Sequence, residues 1–169
     1  NSKAIFCIGA NSAVANPVGG MKHMLQAKDR NNAKLIVADP NFTKTAAHAD
    51  LYLRQRSGTD VALIYGLIHI ILKNGWEDKE FLENRTYGIE EVRKEAEHWT
   101  PELTSDVTGV PVDRLIEAAN IMAHTKPGTV IWALGITQHS VGTSNTRILP
   151  IMQLILGNMG KPGGGCNIL

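Results

Sequence analysis

The chain has 169 residues, the size of one domain, with 43% hydrophobic and 20% charged residues, which excludes a disordered or collagen-like polymer. Lys plus Arg (17) nearly cancel Asp plus Glu (16), so no basic face for non-specific nucleic-acid binding is expected. The longest apolar stretches, Val61–Leu72 and Ile148–Leu156, fall far short of the ~20 residues of a membrane span, so no direct membrane insertion is expected. No signal peptide is visible. Cys7 and Cys166 belong to no CxxC spacing and support neither a disulfide framework nor a zinc site. The chain opens at Asn1 without a Met, enters a strand-like run almost at once and stops at Leu169, which reads as a piece cut from a longer protein.

The first apolar run, Ala4–Ile8, is apolar on both faces and stopped by Gly9, the pattern of a buried parallel strand. Pro17 and Gly19-Gly20 open a helix whose Met21, Met24, Leu25 and Lys28 keep helical spacing and which ends at Asn31-Asn32. Leu35–Ala38 is a second buried strand, closed by Asp39-Pro40. A turn of helix around Lys44–Ala47 leads to a weaker strand, Leu51–Leu53. After Ser57–Asp60 comes Val61–Lys73, apolar almost all round and therefore a deeply buried helix, started by Thr59 and Asp60 and ended by Asn74-Gly75. Asp78–Asn84 and Ile89–His98 are two short amphipathic helices. A further helix begins at Thr108–Pro111 and carries Val112, Leu115, Ile116, Ala119, Met122 and Ala123 at the 3.6 period. Thr129–Leu134 is a fourth strand, ended by Gly135. Asn145–Asn158 is a last apolar helix, kinked or delayed by Pro150, and Lys161–Gly165 is a Gly/Pro tail.

Strands alternating with helices imply an α/β domain: an open, Rossmann-like parallel sheet in the order 3-2-1-4, with helices on both faces. Sites in such sheets lie beyond the strand carboxyl ends where strand order reverses, here between the first and fourth strands. The loops Gly9–Pro17 and Gly135–Gly142 then face each other across a crevice. Gly9, Ala10 and Asn11 begin a small-residue turn from strand to helix that lets a phosphate approach backbone N–H groups, although a plain βα turn has the same spacing. Asp39 is either an acceptor for ribose hydroxyls at the end of the second strand or a turn-forming Asp before Pro40. Thr59 serves as a helix cap or as part of a ligand loop. Asp60 beside it is either a helix-starting residue or a carboxylate that accepts two N–H bonds from a guanine edge. Gln138 has an amide to offer a heterocycle, and His139 is a loop histidine with no assigned proton role. His23, His48, His69, His98 and His124 follow no metal-ligand spacing and read as structural or solvated. The Glu90–Glu95 run is a solvated mixed-charge face.

The segments IFCIGANSAVANP, LIVADPNFTKTAAHADLYLRQRSGTDVAL, ALGITQHSVGTSNTR and ILGNMGKPGGGCN together resemble the molybdenum/tungsten bis(pyranopterin guanine dinucleotide) oxidoreductases, in particular the catalytic alpha subunits of formate dehydrogenases. The resemblance spans nearly the whole chain. Its implied cofactor is molybdopterin guanine dinucleotide (bis-MGD) with Mo or W. It implies that Gly9, Ala10 and Asn11 border the dinucleotide phosphates and that Asp39, Pro40 and Thr43 lie along the guanosine. Gly58, Thr59 and Asp60 take the guanine end, and Leu134 and Gln138 reach toward the pterin. It places the metal-ligating Cys or selenocysteine and an N-terminal iron–sulfur domain before this segment, and a substrate-orienting Arg after it. No residue of this chain is therefore expected to be catalytic or to ligate the metal.

By this resemblance residues 1–169 form a single dinucleotide-binding domain, inactive alone, of a subunit that oxidises formate to carbon dioxide. Its partners are the remaining domains and an iron–sulfur electron-transfer subunit. A periplasmic, membrane-associated complex is favoured over a cytoplasmic one. Two other readings stay open: the same domain of a nitrate-reductase-like enzyme, and a free-standing small-nucleotide module such as the central domain of thiamine-diphosphate enzymes. A CxxCxxxC run in the flanking reading frame separates the last from the first.

Overall fold

The computed structural model describes residues 1–169 as an α/β fold around a five-stranded, all-parallel sheet. The elements in chain order are β1 (Ala4–Ile8), α1 (Ser12–Ala15), a π-helical turn (Pro17–Met21), α2 (Lys22–Asn31), β2 (Lys34–Ala38), a 3-10 turn (Ala46–His48), β3 (Leu51–Leu53) and α3 (Asp60–Lys73). They continue as α4 (Lys79–Arg85), α5 (Ile89–His98), α6 (Pro101–Thr108), α7 (Val112–His124), β4 (Gly128–Trp132), α8 (Leu134–Thr137), α9 (Gly142–Ile155) and β5 (Gly165–Ile168).

Alternation along the strands divides the core in two. Phe6 and Ile8 of β1, Ile36 and Ala38 of β2, and Val130 and Trp132 of β4 face a large core shared with α3, α7 and α9. Ile5 and Cys7, with Leu35 and Val37, face a smaller one closed by Met21, Met24 and Ala27. α3 lies at the centre of the larger helical layer, against α5, α6, α7 and α9, which is why its sequence is apolar all round.

The sheet order is β3-β2-β1-β4-β5, so the expected 3-2-1-4 arrangement is present and carries a fifth strand. That strand, which the sequence reading did not include, follows the Gly/Pro segment Lys161–Gly165 and anchors the C-terminal end. β5 pairs with β4 from Thr129↔Gly165 to Trp132↔Ile168, the Asn167 amide donates to Thr129 Oγ1 at 2.9 Å, and Ser2 Oγ donates to the Gly163 carbonyl at 2.7 Å. Two boundaries also shift, and one helix is added. β4 stops at Trp132, and Leu134 opens the short α8 instead of ending the strand. α9 starts at Gly142 and carries Pro150 inside it. α6, unread in the sequence, starts at Pro101 with Thr100 Oγ1 accepting from the Leu103 N–H.

The registers place the site. Ile8 pairs with Ala38 and with Trp132, and Ala38 pairs with Leu53. The four strands therefore end level, and the four loops that follow them leave from one edge of the sheet.

Candidate nucleotide-binding crevice

At that edge the β1 and β4 loops touch. The Gly135 N–H donates to the Gly9 carbonyl at 3.1 Å. A Cβ on Gly135 would stand 2.6 Å from that carbonyl oxygen and 2.8 Å from Gly9 Cα, and Gly9 itself has φ +58°. Only two glycines permit this approach. The crossing is a low saddle with a cleft on either side.

The first cleft has a volume of about 430 Å³, within the range of ligand sites, and apart from Pro40 it is lined by polar residues and glycines. Gly9 and Asn11 come from the first loop, Asp39, Pro40, Asn41 and Thr43 from the second, and Gln55, Ser57, Gly58 and Asp60 from the third. Gly135 and His139 close it from the fourth. The loops are tied to each other. Fully buried Thr45 donates to Asn11 Oδ1 at 3.1 Å and accepts from the Ala13 N–H at 3.0 Å. Tyr52 donates its hydroxyl proton to the Asp39 carbonyl at 2.8 Å. Asp39 Oδ1 accepts from the Asn41 N–H at 2.9 Å, an Asx turn that holds the carboxylate at the rim. The third loop is anchored by Arg56, whose guanidinium donates to the Asp106 and Val107 carbonyls at the C-terminus of α6, where a cation complements the helix dipole.

The chemistry of the first cleft is that of an acceptor. Asp60, at the first turn of α3, is buried, and burial raises its carboxyl above the ordinary carboxylate range. The Gln55 amide and the charge of His139 pull it down, and Asp39 pushes it further up. Burial raises Asp39 as well. Gln55 is 2% exposed and donates from Nε2 to Asp60 Oδ1 at 3.4 Å, while its Oε1 is buried with no partner. His139 donates from Nε2 to the Gly135 carbonyl at 2.9 Å. Two carboxylates and an unpaired amide oxygen fit a ligand that offers N–H and O–H groups.

The second cleft, of about 350 Å³, lies across the saddle and shares Gly9, Asn11 and Gly135 with the first. Ala10, Ser12, Ala15, Asn16, Ala133, Leu134 and Leu169 complete it. Of the residues singled out in the sequence, Gly9, Asn11, Asp39, Pro40, Thr43, Gly58 and Asp60 thus gather in the first cleft and Ala10 and Leu134 in the second. Thr59 and Gln138 line neither. The Thr59 hydroxyl donates to the Arg56 carbonyl at 2.7 Å and does not cap α3, and Gln138 is exposed. Gln55, Ser57, Asn41 and His139 are cleft residues that sequence reasoning did not assign. The signal for Gln55 was available in out-in-out alternation: Arg54 and Arg56 are exposed and Gln55 between them is buried.

Level loops, a saddle at the switch point and an acceptor-rich cleft place the candidate site where open parallel α/β sheets hold their ligands. The whole chain, residues 1–169, matches the family model for molybdopterin oxidoreductases, and the chain belongs to that family. It is 37% identical to formate dehydrogenase H of Escherichia coli over 99% of this chain and 23% of that protein. It is 36% identical to the F420-dependent formate dehydrogenase 1 subunit alpha of Methanococcus maripaludis, over 100% of this chain and 25% of that one. A nitrate reductase of Synechocystis sp. also matches, with 32% identity over 95% of this chain and 22% of its own length. The solved acetylene hydratase of Pelobacter acetylenicus superposes with a TM-score of 0.89 at 31% identity, over 96% of this chain and 22% of that one. The chain therefore spans about a quarter of the length of the relatives it matches.

Proposed function

We propose that this chain is the dinucleotide-binding domain of a formate dehydrogenase catalytic subunit, and that its first cleft holds the guanosine end of a molybdopterin guanine dinucleotide. The observation that carries the reading is the acceptor set at the first cleft: the Asp60 carboxylate and the unpartnered Gln55 Oε1, with the Asp39 carboxylate at the rim. A carboxylate is an acceptor only, and guanine is the base whose Watson–Crick edge offers adjacent ring and exocyclic N–H donors. Asp39 and Thr43 offer acceptors to ribose hydroxyls. Gly9 and Gly135 leave the saddle itself without side chains, and small Ala10 and loop-tied Asn11 flank it, so the phosphates cross there toward Leu134.

The metal-bearing pterin supplies the two-electron exchange with formate when it is bound. This chain's residues bind and orient the nucleotide and keep bulk water from the base edge. No group of three His, Cys, Asp or Glu side chains converges to hold a metal here, and the proposal gives none of them that part. The partners in this reading are the other domains of the catalytic subunit and an iron–sulfur subunit that accepts the electrons. Formate is preferred to nitrate as substrate because formate dehydrogenase H and the F420-dependent subunit match at 37% and 36% identity and the nitrate reductase at 32%.

The test is Asp60→Ala in the complete subunit, with Mo or W and releasable guanine nucleotide counted per protein. Both should fall together while circular dichroism is unchanged. Full loading removes Asp60 from the base site. Dye-linked assays with formate and with nitrate then separate the two substrates.

A further inference from the structure

Gln55 has one half of its amide in use and the other half idle. Its Nε2 donates to Asp60 Oδ1 at 3.4 Å. Its Oε1 is buried and meets no donor, although buried amide oxygens are almost always paired. Turning the amide over gives no relief. It would set Oε1 against a carboxylate oxygen of Asp60, lone pair to lone pair, and leave two N–H donors in the vacated place. The charge on Asp60 therefore fixes which end of the amide faces it, and the oxygen is left for something else. Gln55 and Asp60 both line the first cleft.

The donor edge of guanine carries three hydrogens, one on the ring N1 and two on the exocyclic N2. Asp60 accepts the N1 hydrogen and one N2 hydrogen, and no acceptor on Asp60 remains for the other. We propose that Gln55 is a specificity-determining residue of this site, with Oε1 accepting the second N2 hydrogen of guanine while Nε2 positions the Asp60 carboxylate. The inference rests on the guanine reading above and adds that the exocyclic amine is read on both of its hydrogens.

Four probes separate the parts: GMP, AMP, IMP, which lacks the N2 amine, and N2-methyl-GMP, which has one N2 hydrogen replaced by a methyl group. Binding to the 169-residue chain is measured by titration calorimetry for wild type, Gln55→Ala, Gln55→Met and Asp60→Asn, each checked for fold by circular dichroism. Wild type should prefer GMP to AMP and should disfavour N2-methyl-GMP, because the methyl group faces Oε1. In Gln55→Ala and Gln55→Met the GMP/IMP ratio should fall about tenfold, the scale of one lost hydrogen bond. In Gln55→Ala, which opens space, N2-methyl-GMP should bind at least as well as GMP. A structural role alone would weaken all guanine ligands together and leave these ratios where they were. If GMP is preferred to AMP and lost in Asp60→Asn, but both ratios are the same in the Gln55 variants as in wild type, the guanine reading stands and the role of Gln55 is overturned. If GMP and AMP bind alike, or neither binds, the guanine reading fails and this inference with it.

Discussion

Asp60 carries a cost in the ligand-free chain. Burial outweighs the help of Gln55 and His139, so its carboxyl is held above the ordinary range. A carboxyl raised in this way favours the folded state while protonated. That contribution is complete below its unfolded pKa of about 3.9 and is lost as pH rises through the folded value. At neutral pH the charge therefore destabilises the empty fold. Asp60→Asn should raise the Tm of the ligand-free chain at pH 7, on the scale of the ~2–4 °C that 1 kcal/mol produces in a domain of this size. The difference from wild type should close as pH falls through the folded pKa. Thermal melts of both proteins across that range check it, and an Asn variant less stable at pH 7 would show the carboxylate to be a structural group. Binding of a donor-rich ligand follows the opposite sign, since it needs the charged form and weakens on acidification.

At the scale of elements, what could be read in the sequence follows from where burial is periodic. β1, β2, β3, α3 and α7 bury apolar residues in the pattern their geometry demands, and all five were legible. α6 was not, because the residues it buries are Thr104 and Thr108, whose hydroxyls donate to the Trp99 and Thr104 carbonyls; a helix held through threonines has no apolar stripe. β5 was not, because GCNI has no strand signal of its own and becomes a strand by pairing with β4. Gln55 was passed over because it lies between the end of β3 and the Ser57–Asp60 loop, where only the exposed, buried, exposed alternation of Arg54, Gln55 and Arg56 marks it. The loops Gly9–Asn11, Asp39–Thr43 and Gly58–Asp60 were legible as a group because each follows a strand of a parallel sheet, and level strands bring such loops together. The point where β1 and β4 loops cross is the least tolerant of these. In Gly135→Ala the new methyl meets Gly9 backbone, which cannot rotate away, so unfolding in urea should show a loss of about 1–3 kcal/mol with m unchanged. An alanine variant as stable as wild type would mean that the two loops separate freely.

Taken whole, the molecule sets a polar cleft and a partly apolar one side by side, with a glycine saddle between them. This makes the two halves of a bound dinucleotide distinguishable by heat capacity. Apart from Pro40 the first cleft is lined by polar residues and glycines, whereas the second presents Ala10, Ala15, Ala133, Leu134 and Leu169. Covering apolar surface lowers the heat capacity and covering polar surface raises it. Titrations repeated over a range of temperatures should give a binding heat that grows only slightly more exothermic on warming for GMP, which occupies the first cleft alone. A guanine dinucleotide long enough to cross the saddle should give a heat that grows much more steeply exothermic on warming. The warmer the solution, the more of the enthalpy of holding such a cofactor comes from the side of the saddle away from the base.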